Sequence, residues 1–248
     1  MYRELHVLAS TLRRCGDVEE INLKVCTIDG YRMRELAPVI RGAIRLKNID
    51  LGWGTIGTVG CHALATAVQD PHCNLVTLNL AHVRIDDDCA VILADALKSN
   101  GKLESLDLTN NNDITRRGWY AFSKTLCDRS SINGTYSSNH MLKHIGEDDE
   151  DRFPPSLEKL LKFNESADKK EVAIKKILHC HPNFDMKPFF EWDMKMLPTA
   201  VNWFDRAIFC TESNDTRSID VHVRKLNAIY QFIHAMPDVF EPAPESAN

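Results

Sequence analysis

No uninterrupted apolar run in this 248-residue chain approaches the ~20 residues that a bilayer-spanning helix needs, so a helical membrane protein is excluded. There is no basic surplus either. Thirty Lys and Arg stand against 35 Asp and Glu, a formal net charge of −5. A broad nucleic-acid face, which works by displacing counterions with cations, is therefore not expected. A Gly-x-x-x-x-Gly-Lys phosphate loop is missing, and so is any nucleophile with a base and an orienting group in motif spacing. His179-Cys180-His181 has no second Cys/His pair at zinc-site distance, so no metal or cofactor is expected and the chain reads as non-enzymatic. The opening Met1-Tyr2-Arg3-Glu4-Leu5 lacks the apolar core of a signal peptide and runs directly into an amphipathic pattern. A reducing, cytoplasmic setting follows as an expectation. Most of the eight cysteines then read as small buried apolar residues, and the Asn133, Asn164 and Asn214 sequons as chance matches. What remains, at 44% hydrophobic and 26% charged residues, is an ordinary globular composition.

A repeat organises that composition. Leu8-Ala9-x-Thr11-Leu12 returns as Leu36-Ala37-x-Val39-Ile40, Leu64-Ala65-x-Ala67-Val68, Leu93-Ala94-x-Ala96-Leu97 and Phe122-Ser123-x-Thr125-Leu126, at steps of 28, 28, 29 and 29. Between these copies, Val18-x-x-Ile21-x-Leu23 is followed by Leu46-x-x-Ile49-x-Leu51, Leu75-x-x-Leu78-x-Leu80 and Leu103-x-x-Leu106-x-Leu108, at steps of 28, 29 and 28. Apolar residues at i, i+1 and i+4 make the inner stripe of a short helix. Apolar residues two apart lie on one face of a strand. A further inward residue follows each strand: Ile28, Ile56, Ile85 and Ile114. One strand–turn–helix unit cannot enclose its own apolar side, but stacked copies bury a continuous core.

These residues resemble leucine-rich repeat proteins of the ribonuclease-inhibitor type over roughly residues 2–145. The resemblance implies an α/β leucine-rich repeat solenoid, with parallel strands on the concave side and helices on the convex side. It also implies that Asn111 stands where the family's asparagine bonds the turn after a strand, and that Cys26 takes that place in an earlier unit. Gly54 and Val83 depart from the pattern there. Ile132-x-x-Thr135-x-Ser137, with Asn139, His140 and Leu142, reads as a degenerate fifth unit that ends the array.

The period is lost near residue 147. The solenoid is expected over residues 1–146 and an acidic, proline-containing linker over 147–155, carrying Glu147–Asp151 and Phe153-Pro154-Pro155. An all-α C-terminal cap is expected over 156–248. Ser156 can cap one helix, and Asp168-x-x-Glu171 can begin another that ends near His181-Pro182. Pro188 and Pro198 suit first-turn positions. Thr216 can open a long helix striped by Ile219, Val223, Leu226, Tyr230 and Ile233. Residues 2–14 look like a helix whose strand is missing, so Leu5, Leu8 and Leu12 predict a monomer in balance with a weak dimer.

Gly52-x-Gly54-x-x-Gly57 imitates a dinucleotide fingerprint, but it falls at a strand-to-helix turn of the repeat, and Ala81-His82 stand where the ribose-binding acid belongs. The exposed strand positions are better candidates. One row reads Asn22, Asp50, Asn79, Asp107; its neighbour runs Glu20, Asn48, Thr77, Ser105; beyond lie Trp53, His82 and Asn110. Parallel strands set such rows ~4.8 Å apart, a preformed platform with one aromatic at its rim. Glu20, Asn22, Asp50, Trp53, Asn79, His82, Asp107 and Asn110 are therefore the candidate residues for binding a protein partner. The resemblance leaves two alternatives, a regulator of the small GTPase Ran and a fragment of a larger receptor.

Overall fold

The computed structural model describes residue 10 and residues 17–26, 28–146 and 153–181. The chain divides into two compact units, Met1–Leu178 and His179–Asn248, and of the second only the first three residues are described. The expected helix over 2–14 with Leu5, Leu8 and Leu12, the acidic run Glu147–Asp151, Pro188, Pro198 and the helix from Thr216 with its stripe all lie outside the described residues.

Four short strands alternate with helices: β1 (Glu20–Asn22), α1 (Gly30–Gly42), β2 (Asn48–Asp50), α2 (Gly57–Gln69), β3 (Thr77–Asn79), α3 (Asp87–Leu97), β4 (Ser105–Asp107) and α4 (Arg116–Leu126). The strands form one parallel sheet in sequence order. Ile21, Ile49, Leu78 and Leu106 stand side by side in adjacent strands, the register that the repeat predicts. Each is buried, as are the flanking Leu46, Leu51, Leu75, Leu80, Leu103 and Leu108 and the inward residues Ile28, Ile56, Ile85 and Ile114. Helix residues Leu36, Ile40, Leu64, Val68, Leu93, Leu97, Phe122 and Leu126 close the other side of this core. Successive helices pack close enough that a Cβ added to Gly60 in α2 would lie 3.1 Å from the Cα of Gly30 and 3.3 Å from the Cβ of Met33, both in α1. Cys61, Cys73, Cys89 and Cys127 are buried as expected. The hydrogen bond with Cys89 and burial push the Cys61 thiol up, and burial does the same to Cys73.

Asn111 is 1% exposed and all its hydrogen-bonding capacity is engaged. Its Oδ1 accepts from the Val83 and Ile85 N–H groups at 3.1 and 2.9 Å. Its Nδ2 donates to the Leu80 and Leu108 carbonyls at 2.8 Å each. One amide thus ties the turn after β4 to the turn after β3, in backbone that no regular ladder satisfies. Cys26 takes the corresponding place after β1, its N–H donating to the Leu23 carbonyl at 3.0 Å as that of Asn111 does to Leu108 at 3.3 Å, but it is exposed. Val83 is fully buried in the same place, filling it with apolar volume instead.

The fifth unit is not built as the sequence suggests. Ile132–Tyr136 is a short helix, α5, rather than a strand. The chain returns to the sheet eight residues after α5, where His144 bridges Ser105 in parallel and the Leu106 and Leu108 N–H groups donate to the His144 and Ile145 carbonyls at 2.9 and 3.2 Å. Leu142 and Ile145 therefore take the places that Leu103 and Leu106 hold in β4, and both are buried. A second asparagine series marks this return. Asn100 Oδ1 accepts from the Leu103 N–H at 2.7 Å while its Nδ2 donates to the Val68 carbonyl at 2.6 Å. Asn139 repeats the arrangement with Leu142 N–H at 2.9 Å and the Leu97 carbonyl at 2.8 Å. Asn164 extends it, donating to the Leu142 carbonyl at 2.6 Å. With no solvent access, Asn164 has no room for a glycan in the folded chain.

Two helices follow, α6 (Pro155–Asn164) and α7 (Lys169–Cys180). Pro154 and not Ser156 is the N-cap of α6, with Pro155 in its first turn. Asp168 Oδ1 accepts from the Lys170 and Glu171 N–H groups at 2.9 and 3.3 Å, the start expected for α7. Leu157, Leu160, Val172 and Ile177 are buried, and Phe153 meets Trp119 of α4 edge-on, ring centroids 5.3 Å apart.

The most unusual core residue is Lys176 of α7, which has no exposed surface. Its Nζ donates to the carbonyl of Leu126, the last residue of α4, at 2.7 Å and to that of Asn139 at 2.9 Å. A cation suits this place because the final carbonyls of a helix carry partial negative charge and have no partner within the helix. Nζ also lies 3.2 Å from His140 Nδ1, which must accept, leaving the ring proton on Nε2, 2.9 Å from the Tyr136 carbonyl. Burial, then the Lys176 charge, lowers the His140 pKa to about 4. Between pH 6.5, an ordinary histidine value, and about 4, the unfolded chain binds a proton here that the folded chain does not, so stability falls as pH drops through that window. We expect a loss on the order of 1 kcal/mol, since partial solvation of the ring reduces the ~1.4 kcal/mol per unit that a buried group would carry. Urea midpoints at pH 7 and pH 4.5 for the native chain and His140→Gln check it: the substitution should flatten that part of the pH dependence.

Candidate functional site

The site is built at the ends of the strands, where each repeat turns away from the sheet. Asn22, Asp50, Asn79 and Asp107 are adjacent in register, as their row requires. Each performs the same local task. The side-chain Oδ1 accepts from the N–H two residues on: Lys24 at 3.0 Å, Gly52 at 2.9 Å, Ala81 at 2.8 Å and Thr109 at 2.9 Å. Asn and Asp close this turn best, Ser and Thr more weakly. The turn therefore accounts for the residue type of the row, whatever else the row does. Glu20 lies exposed at the start of β1, in register with Asn48, Thr77 and Ser105.

The next positions are different. Val25, Trp53, His82 and Asn110 have φ of 65°, 64°, 57° and 59°, all in the left-handed region. Their recurrence once per repeat makes this backbone conformation a demand of the coil. Asn tolerates it, whereas a bulky side chain is strained by about 1–3 kcal/mol. The chain nevertheless places Val and Trp at two of the four corners, while His, like Asn, adopts this conformation readily. Trp53 is 51% exposed and stacks on His82 with ring centroids 3.9 Å apart and planes 18° from parallel. Asn110 Nδ2 lies 3.0 Å from His82 Nε2, an amide donor facing a ring acceptor, which suits the tautomer with its proton on Nδ1. Three side chains from three successive repeats thus brace one another into a single rigid shelf, and the three expected residues Trp53, His82 and Asn110 come together.

A cavity of about 490 Å³ lies along this shelf. Besides Trp53, His82 and Asn110 it is lined by Gly54, Thr55, Arg84, Asn112 and Asp113, of which the sequence reading singled out none as a binding residue. Arg84, two residues past the His82 corner, is itself exposed and left-handed at φ 57°. Its offset from the corner is the signal that could have found it. Asn112 belongs to the extra residue that lengthens the turn before Ile114. The cavity offers an aromatic face, amides, a cation and a carboxylate on a fixed frame. That combination suits shape and hydrogen-bond recognition. Among the described residues no group of three metal-ligating side chains comes together, and no helix is long and apolar enough to cross a membrane.

No family model matches the chain. It is 31% identical over 108 residues to the mouse (Mus musculus) NACHT, LRR and PYD domains-containing protein 12, a match covering 43% of this chain and 10% of that protein. It is 28% identical over 95 residues to the human (Homo sapiens) NACHT, LRR and PYD domains-containing protein 14, covering 38% and 9% respectively. Pig (Sus scrofa) ribonuclease inhibitor is 25% identical over 111 residues, 45% of this chain and 24% of the inhibitor. The chain thus matches about a tenth of the length of the NACHT-containing relatives and a quarter of the inhibitor. Its repeat region is similar to leucine-rich repeat proteins, ribonuclease inhibitor among them.

Proposed function

We propose that this chain, whose repeats are similar to leucine-rich repeats of the ribonuclease-inhibitor type, is a non-enzymatic module that binds a protein partner across its strand ends. The carrying observation is a half-exposed Trp at a left-handed corner, stacked on the His of the next corner. Folding alone favours Asn, His or Gly there, and at Trp53 the strained corner holds out an exposed ring stacked on His82. Trp53 is the anchor, half exposed on a stacked and hydrogen-bonded support. Asp50, Asp107 and the cavity residues form a polar rim that sets the partner's register. A rigid shelf loses little freedom on binding, which favours affinity. Cysteines placed in the core support a reducing, cytoplasmic setting for this activity.

Trp53→Asn separates binding from folding. The partner captured by the full chain, quantified by mass spectrometry, should bind about 30-fold more weakly, the effect of losing a central aromatic anchor. The same variant should fold at least as stably as the native chain, because asparagine relieves the corner. Undiminished capture by Trp53→Asn combined with His82→Ala would overturn the proposal.

A further inference from the structure

A second groove lies away from the strand ends, between α4 and the first turn of α6, with a volume of about 610 Å³. Arg116, Lys124 and Arg129 line it, with Tyr120 and Phe153 beside them. All three cations are exposed, and among the described residues none makes an ion pair. Their neighbours behave otherwise. Arg117, the next residue on α4, is paired with Asp87 and Asp88, and Lys98, Lys143 and Lys175 each have a carboxylate. The single lining carboxylate, Asp128, accepts from the Ser130 N–H at 3.0 Å.

Folding does not call for this arrangement. Arg116 is the first residue of α4, where the helix end already carries partial positive charge and an acid would be preferred. Three cations against one engaged acid, in a chain with net charge −5, make a local field opposite to that of the molecule. The walls are fixed as well. Phe153 is held edge-on against buried Trp119, and Tyr120, 69% exposed, stands on the same helix as Arg116 and Lys124.

We propose that this groove docks an acidic, extended peptide segment of a partner protein. Its carboxylate or phosphate groups meet Arg116, Lys124 and Arg129, and an aromatic or proline ring lies against Tyr120 and Phe153. Charge-assisted pairing supplies register, and the ring contact supplies apolar burial. The groove is independent of the Trp53 shelf, so either site can fail without the other.

The test uses fluorescein-labelled decapeptides with the full chain, read by fluorescence anisotropy at two salt concentrations. One peptide mixes Glu and Asp around a Tyr-Pro pair, a second replaces two of the acids by phosphoserine, and a third replaces every acid by Gln. Acidic peptides should bind at least tenfold tighter than the Gln peptide and weaken with salt. The tighter of the first two names the anionic group. Arg116→Glu with Arg129→Glu should weaken binding about tenfold or more, whereas the distant Lys47→Glu and Trp53→Asn should leave it unchanged. Circular dichroism should show both charge variants folded, since every altered side chain is exposed. The proposal is overturned if the Gln peptide binds equally well, if the double reversal binds like the native chain, or if Lys47→Glu or Trp53→Asn weakens binding as much.

Discussion

Asn111→Ala should lower the stability of the repeat array by about 3–5 kcal/mol, a large fraction of what a domain of this size possesses. The substitution removes one side chain but strands three backbone groups, the N–H of Val83 and Ile85 and the Leu80 carbonyl, while the Leu108 carbonyl keeps only the Asn111 N–H at 3.3 Å. Each buried group left unpaired costs about 1–3 kcal/mol, and local relaxation recovers part of the sum. Thermal unfolding should move down by roughly 10 °C, at 2–4 °C per kcal/mol for a chain of this length. Asn111→Asp is the sharper comparison. It keeps the acceptor toward Val83 and Ile85 but turns a carboxylate oxygen toward two carbonyls. It should therefore be less destabilising near pH 4, where the added acid can protonate, than at pH 7. A urea midpoint unchanged in Asn111→Ala would mean that the amide does not hold the two turns.

Lys176→Met should detach α7 from the repeats. Methionine approximates the volume of the lysine stem, so the test isolates the ammonium rather than a cavity. Nζ satisfies the Leu126 and Asn139 carbonyls at 2.7 and 2.9 Å; the substitution removes both bonds and leaves the Asn139 oxygen only the long 3.4 Å bond from Asn164 Nδ2. Bonds from a charged donor contribute about 1.5–3 kcal/mol each, so a loss of about 3 kcal/mol is expected. The loss should be local. Brief chymotrypsin digestion should cut within residues 153–181 of the variant while the β1–β4 repeats survive, and hydrogen exchange should quicken in α6 and α7 first. Equal protection of α7 in variant and native chain would show that apolar contacts alone dock it.

The strand register was legible from the sequence because two patterns, one of strand period and one of helix period, kept the same step through four copies. Ile49, Leu78 and Leu106 could be aligned without any structure. The return of the chain to the sheet at His144 does not follow from the repeat because α5 lengthens the step: Ser105 bridges His144, 39 residues on rather than 28 or 29. The signal for that return is Asn100-x-x-Leu103, which recurs as Asn139-x-x-Leu142 outside the fixed period of the repeat. The rows of the candidate site were legible as positions only. That Asn22, Asp50, Asn79 and Asp107 serve their own turns follows from hydrogen bonds two residues long. The left-handed corners were hidden because Val25 and Trp53 are not residues that advertise positive φ. Lys176 could not be read as buried, since a lysine in a helical pattern normally reaches solvent.

The corner backbone has one more consequence, for engineering. Because stacking of the coils dictates its conformation whatever residue occupies it, the site behaves as a cassette. Val25, 68% exposed at the first corner, is an unused slot next to Trp53. A ring or amide installed there would lengthen the recognition strip by one rung and leave the hydrophobic interior untouched, so specificity in this scaffold can be rewritten one coil at a time.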